Sequence, residues 1–146
     1  MEAMRIVLDT NILVAALRSD RGASRRILLA ALDRRIEIAV STAPMMEYEA
    51  VLTRPEQLEA TGLSADETSA VLDALSAVAK PVVCWFLWRP QLRDPADEMV
   101  LETAVNGQAH CIVTFNLRHL EAAGKFGIRV VTPPAAWKEI SSHEKK

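Results

Sequence analysis

At 146 residues the chain is long enough to bury a core as one domain, and its 50% hydrophobic content excludes an intrinsically disordered body. Seventeen basic against nineteen acidic residues leave a net charge of −2, which excludes a strongly basic packaging protein. It does not exclude an enzyme that gathers cations at an acidic pocket, where the ion supplies the local positive charge.

In chain order, Arg5-Ile6-Val7-Leu8 is a short run of strand formers stopped by Asp9-Thr10-Asn11. Ile12 to Leu17 continues apolar without a turn residue, which predicts a buried helix capped by that triplet. Residues 22–35 start at Gly22 and repeat Ile27, Leu28, Ala31 and Leu32 at helical spacing, and Ile36 to Val40 reads as a second strand. Ser41-Thr42 then opens a helix over 43–53. Arg54-Pro55 stops it, and a polar connector is expected as far as Gly62.

Ser64-Ala65-Asp66-Glu67 is a capping box, followed by the stripe Val71, Leu72, Leu75 and Val78. Lys80-Pro81 ends that helix, with an extended segment expected over Val82 to Leu87. Asp94-Pro95 opens another helix, to about Asn106-Gly107. His110 to Thr114 reads as a strand, Leu117 to Ala123 as a short helix, and Ile128 to Thr132 as a last strand. Pro133-Pro134 leads into a turn around Trp137, and Ser141 to Lys146 reads as an unordered polar tail. Strands alternating with helices predict an α/β fold, a three-layer α/β/α sandwich around a central parallel sheet, as a single domain over 1–140.

Cys84 and Cys111 are too far apart for a zinc knuckle and fit a reducing compartment. The opening residues do not read as a signal peptide, and no apolar run approaches the ~20 residues a spanning helix needs. A cytoplasmic protein without membrane attachment is expected.

In a parallel sheet, ligands bind beyond the carboxyl ends of the strands. Asp9, Ser41-Thr42 and Thr114-Phe115-Asn116 fall at that edge. Asp9 reads equally as a helix cap or as a ligand. Glu47 shares a face with Ala43, Ala50 and Val51, whereas Glu49 projects elsewhere. In Asp94-Pro95-Ala96-Asp97-Glu98, Asp94 fits an N-cap, while Asp97 shares the side of Val100, Leu101, Ala104 and Val105. Asp97 is therefore preferred over Glu98 as a ligand, with Asp94 accessory. Converging carboxylates repel unless cations or protons relieve them. Oxygen-only ligands select Mg²⁺, with Mn²⁺ as substitute, and such ions serve phosphodiester cleavage.

These residues resemble the PIN domains, most closely the toxin components of toxin–antitoxin systems related to VapC. Arg5 to Asn11 is similar to their opening, Met46 to Leu52 with Arg54-Pro55 to a second motif, Arg93 to Glu98 to a third, and Val113 to Arg118 to a fourth. Val131-Thr132-Pro133 matches the closing strand, so the resemblance runs from about Met4 to about Ile140. It implies a metal-dependent ribonuclease, a homodimer and a small antitoxin partner covering the active site. In that scheme Asp9, Glu47 and Asp97 hold Mg²⁺, and Asn116 orients water on the RNA substrate. Many relatives carry Asp where Asn116 stands; an amide contributes no charge, so one ion is expected rather than two.

Arg18, Arg21, Arg25 and Arg26 are candidates for holding the RNA backbone, against a solvated helix face. Asn11 and Thr114 are accessory candidates that support the carboxylates or satisfy backbone groups. His110 and His119 read as structural or surface residues. Cys84 to Trp88 reads as a protein interface rather than a base-stacking platform. A rival reading keeps the fold as an RNA-binding or regulatory module with a degraded site, marked by Asn116. A phosphohydrolase of another α/β family commonly needs a second Asp two residues after the first, where this chain has Asn11.

Overall fold

The computed structural model describes residues 3–84 and 91–144. Strand β1 (Arg5–Leu8) leads through Asp9 into α1 (Thr10–Arg18), and α2 (Ala23–Leu32) follows before β2 (Glu37–Val40). Helix α3 (Thr42–Leu52) is succeeded by α4 (Pro55–Thr61), where a connector was expected. Pro55 ended one helix and began the next, since a first-turn proline gives up only an unused N–H. Gly62 then closes α4 in the left-handed conformation, with φ of 76°.

The capping box is present: Glu67 N–H donates to Ser64 Oγ and Ser64 N–H to the Glu67 carboxylate, at 3.0 and 3.1 Å, opening α5 (Ala65–Val78). Residues 85–87 of the extended segment expected over Val82 to Leu87 lie outside the described residues; strand β3 itself is Lys80–Pro81, just upstream. Its register on Ala39 and Val40 fixes that position. Helix α6 (Pro95–Asn106), β4 (Cys111–Val113), a 3₁₀ segment (Leu117–Phe126) and β5 (Arg129–Val131) follow. The chain closes with α7 (Pro133–Glu144), not a turn and a tail. Ala136 and Ile140 bury one side of α7, and Glu144 pairs with Arg35 at 2.7 Å, which orders the residues from Ser141 to Glu144.

All five strands run parallel in the order β3-β2-β1-β4-β5. Alternation along the strands divides the core into two layers. Ile6, Leu8, Ile38, Val40, Cys111 and Val113 face the layer of α1, α2, α3, α5 and α7. Val7, Ala39 and Ile112 face α6 and the 3₁₀ segment. The chain steps from β1 outward to β2 and β3, then crosses to β4 on the other flank of β1. The reversal makes the carboxyl ends of β1 and β4 the crevice of the sheet. No helix among the described residues is long and apolar enough to cross a membrane.

Candidate active site

Asp9 emerges at that crevice. It occupies the cap position of α1, but its side chain makes no capping hydrogen bond. Instead the Thr114 hydroxyl, one residue beyond β4, donates to Asp9 Oδ2 at 2.7 Å. Both residues are buried, and the backbone N–H of Asp9 donates to the Val113 carbonyl at 3.0 Å. Two neighbouring parallel strands thus hold one carboxylate at their common end. The ligand reading and the cap reading of Asp9 part here, because a capping carboxylate would turn back onto its own helix.

Tyr48 lies beneath this point. The ring is wholly buried on α3, and its hydroxyl donates to the Leu8 carbonyl at 2.5 Å, tying α3 to the last residue of β1. Burial, with the charges of Asp9 and Glu47 adding, raises its phenol well above the usual range. Tyr48 stays a neutral donor at all ordinary pH.

Glu47 precedes Tyr48 on α3 and is half-buried. Its surroundings differ from those its spacing predicts. Ala43 and Ala50 are exposed, and α3 buries the stripe Pro44, Tyr48 and Leu52. Glu47 stands at the border of that stripe, on a helix in contact with α6. Ser41, at the end of β2, turns away from the crevice and shares a hydrogen bond of 2.7 Å with buried Thr103.

On α6, Asp94 is the N-cap and accepts from Ala96 N–H at 2.9 Å. Asp97, in the first turn, keeps 16% of its side chain exposed. Burial raises its carboxyl above the usual range, the negative charges of Asp9, Asp94 and Glu47 adding to the shift and His119 opposing it. Asp9, Glu47 and Asp97 are therefore within electrostatic reach of one another. Glu98 takes another part: its carboxylate accepts from the backbone N–H groups of Gln91 and Leu92, at 3.1 and 2.8 Å, fastening the loop before α6.

His119 is no remote surface residue. Its Nδ1 lies 3.8 Å from Asp97 Oδ2, because the 3₁₀ segment packs across the first turn of α6. Nothing in the local sequence announces this, since the contact joins elements 22 residues apart. A cavity of about 810 Å³ opens beside the pair, with Arg93, Arg118 and Lys125 on its walls along with Asp94 and Asp97. Asn116 is exposed at the start of the 3₁₀ segment, its backbone N–H donating to Thr114 Oγ1 at 3.0 Å. Asn11 is exposed in the first turn of α1 and is not bonded to Asp9.

The arginines at and after the end of α1 lie at the other end of that helix from Asp9. Asp9 adjoins the N-terminal end of a nine-residue helix, and Arg18 is its last residue, roughly 13 Å along the axis. Arg21 lies beyond it. Arg25 is engaged with the protein itself: its guanidinium donates to the carbonyls of Ala16 and Leu17 and pairs with Asp20 at 3.5 Å, capping the exit of α1. Trp85 to Trp88, read from sequence as an interface, lie outside the described residues.

Among the described residues, no group of three or more His, Cys, Asp or Glu side chains is arranged to hold a metal ion by itself. Mg²⁺ commonly takes one or two carboxylates and completes its shell with water and substrate phosphate. Asp9 and Asp97 are oxygen donors facing a shared excess of negative charge, which a divalent cation relieves.

A PIN-domain family model matches residues 5–118. No curated protein matches the chain. Among solved structures, a chain of VapBC2 from Rickettsia felis, crystallised with a DNA fragment from their promoter, is similar at TM-score 0.59 and 16% identity. The match covers 88% of this chain and 98% of that one, and at this identity it bears on the fold.

Proposed function

The chain belongs to the PIN-domain family, and from that premise we propose that it is a Mg²⁺-dependent ribonuclease, the toxin of a toxin–antitoxin pair. The observation that carries the reading is the Asp9 carboxylate, held by Thr114 at the β1–β4 crevice and uncommitted to capping, with Asp97 and Glu47 in reach. Asp9 and Asp97 would hold the ion, and Glu47 would complete or orient its surroundings. Bound there, Mg²⁺ supplies Lewis acidity and positive charge to a phosphodiester as it gains charge on its oxygens.

The protein's own part is positioning. Thr114 keeps Asp9 from swinging back to its helix, and Tyr48 keeps α3 against β1 so that Glu47 faces the crevice. Asn116, exposed at the mouth, offers an amide to orient the attacking water. Without an acidic side chain at that position, the reading takes one ion. A small antitoxin belongs to the same proposal, supported by the likeness to a VapBC2 chain, and a second copy of the chain is expected with it from the family resemblance alone.

The test is cleavage of single-stranded RNA with Mg²⁺ and with EDTA, for the wild type and for Asp9→Asn. Cleavage is expected only from the metal-supplied wild type. Equal cleavage by the variant or by the chelated protein would sink the proposal. Absence of cleavage together with tight RNA binding would favour the non-catalytic module instead.

A further inference from the structure

The cavity beside Asp97 is walled by the loop before α6 on one side and by the 3₁₀ segment on the other. Arg118, Glu121 and Lys125 project into it from successive turns of that segment. Arg93 enters from the loop that Glu98 fastens through Gln91 and Leu92, so that wall is built rather than loose. Arg5 bonds Glu37, Arg25 the end of α1, Arg35 Glu144, and Arg129 Glu139, whereas the side chains of Arg18, Arg21, Arg26, Arg34 and Arg54 have no such partner among the described residues. The side chains of Arg93, Arg118 and Lys125 likewise make no hydrogen bond or ion pair among the described residues and each is exposed, but these three share one cavity with Asp97.

The lining also holds carboxylates. Asp94 caps α6, Asp97 belongs to the proposed metal centre, and Glu121 shares the 3₁₀ wall. The negative charge of the first two sits at the crevice end, where a divalent cation would offset it. Arg118 and Lys125 extend from there along the 3₁₀ wall. At about 810 Å³ the space is within the range of ligand pockets, roughly 300–1,000 Å³. Single strands are bound by a basic groove that tracks their backbone, whereas duplex recognition spreads over successive grooves.

We propose that this cavity is a phosphate-binding subsite for single-stranded RNA, in which Arg118 and Lys125, with Arg93 opposite, hold the backbone next to the bond that is cut. The inference rests on the ribonuclease reading and adds the route of the strand: away from the β1–β4 crevice along the 3₁₀ segment, and not toward Arg18 and Arg21. Phosphate contacts of this kind give affinity without base choice and release counterions.

The experiment is single-turnover cleavage of a single-stranded RNA in Mg²⁺ across a range of KCl, for wild type, Arg118→Ala, Lys125→Ala, Arg118→Lys and Arg18→Ala. Each alanine variant in the cavity is expected to raise the half-saturating enzyme concentration about fivefold at fixed salt. It should also lower the logarithmic salt slope by about 0.7, the release expected for one phosphate contact on a single strand. The Mg²⁺-induced rise in Tm without RNA should stay as in the wild type, since neither side chain is a proposed ligand of the ion. Arg118→Lys should restore the slope, and Arg18→Ala should match the wild type throughout. An active wild type whose two cavity variants keep its half-saturation and slope overturns the subsite and leaves the ribonuclease reading standing. A wild type that cleaves no RNA overturns both. Equal competition by duplex RNA overturns the single-strand assignment.

Discussion

Asp9 and Asp97 face the same crevice from opposite kinds of support. Asp9 ends a central strand, is buried, and receives a hydroxyl hydrogen bond from the neighbouring strand. Asp97 rides the first turn of a helix at the rim, partly exposed, beside a histidine 3.8 Å away. One carboxylate is fixed by the sheet before any ion arrives. The other has no side-chain hydrogen bond of this kind among the described residues, and burial with its acidic neighbours raises its carboxyl above the ordinary value. On the reading proposed above, a centre with one fixed and one less constrained ligand closes on a cation and substrate together at lower cost than a fully preformed cage of repelling charges.

Breaking the rigid side should have the largest effect. Asp9→Asn removes the charge while leaving an oxygen for Thr114, so folding should survive. Cleavage should fall about a hundredfold or more, since a bound cation contributes several kcal/mol to charge stabilisation in the transition state. Thr114→Val tests the support rather than the ligand. Losing a partner of this type typically costs 10–100-fold in metal affinity, and a Mg²⁺ titration of activity should show it with maximal rate less affected. Tyr48→Phe should cost about 1–2 kcal/mol in denaturant unfolding, because the Leu8 carbonyl loses a buried partner, with a milder effect on cleavage.

The smallest effect sharpens the less constrained side. Asp97 binds its proton more tightly in the folded than in the unfolded chain, so rising pH through the window above the ordinary carboxylate range costs metal-free stability. Asp97→Asn should therefore flatten the pH dependence of Tm in EDTA and leave the metal-free protein somewhat more stable at neutral pH. In the wild type, Mg²⁺ stabilisation should grow as pH rises through the same window, since the ion needs the deprotonated carboxylate. A variant that steepens the pH dependence in EDTA would place the charge repulsion elsewhere.

The same contrast explains what could be read in advance. Local signals were legible: β1 ending at Asp9, the capping box at Ser64, and Asp94-Pro95 opening α6 all follow from side-chain chemistry within a few residues. Whether Asp9 capped α1 or faced the crevice was not legible, because Thr114 lies 105 residues away. Glu47 was legible in part: helical spacing set it on the side of Val51, which packs against the core, and Glu49 toward solvent. The same spacing also grouped it with Ala43 and Ala50, which are exposed because Tyr48 turns the stripe it shares with Pro44 and Leu52 onto β1. Pro55 and Pro133 read locally as breaks, yet each opens a helix, a role proline fills as readily as stopping one. The arginines beyond α1 drew attention by clustering in sequence. Arg118 and Lys125 are spread over a segment whose place beside Asp97 exists only in the fold.

The most direct measurement of the central claim is a calorimetric Mn²⁺ or Mg²⁺ titration of the wild type, Asp9→Asn and Asp97→Asn without RNA, paired with Tm at saturating ion. The paired-carboxylate account predicts one binding event in the wild type, a matching rise in Tm, and loss of both in either variant. Ion binding of wild-type strength in both variants would contradict it.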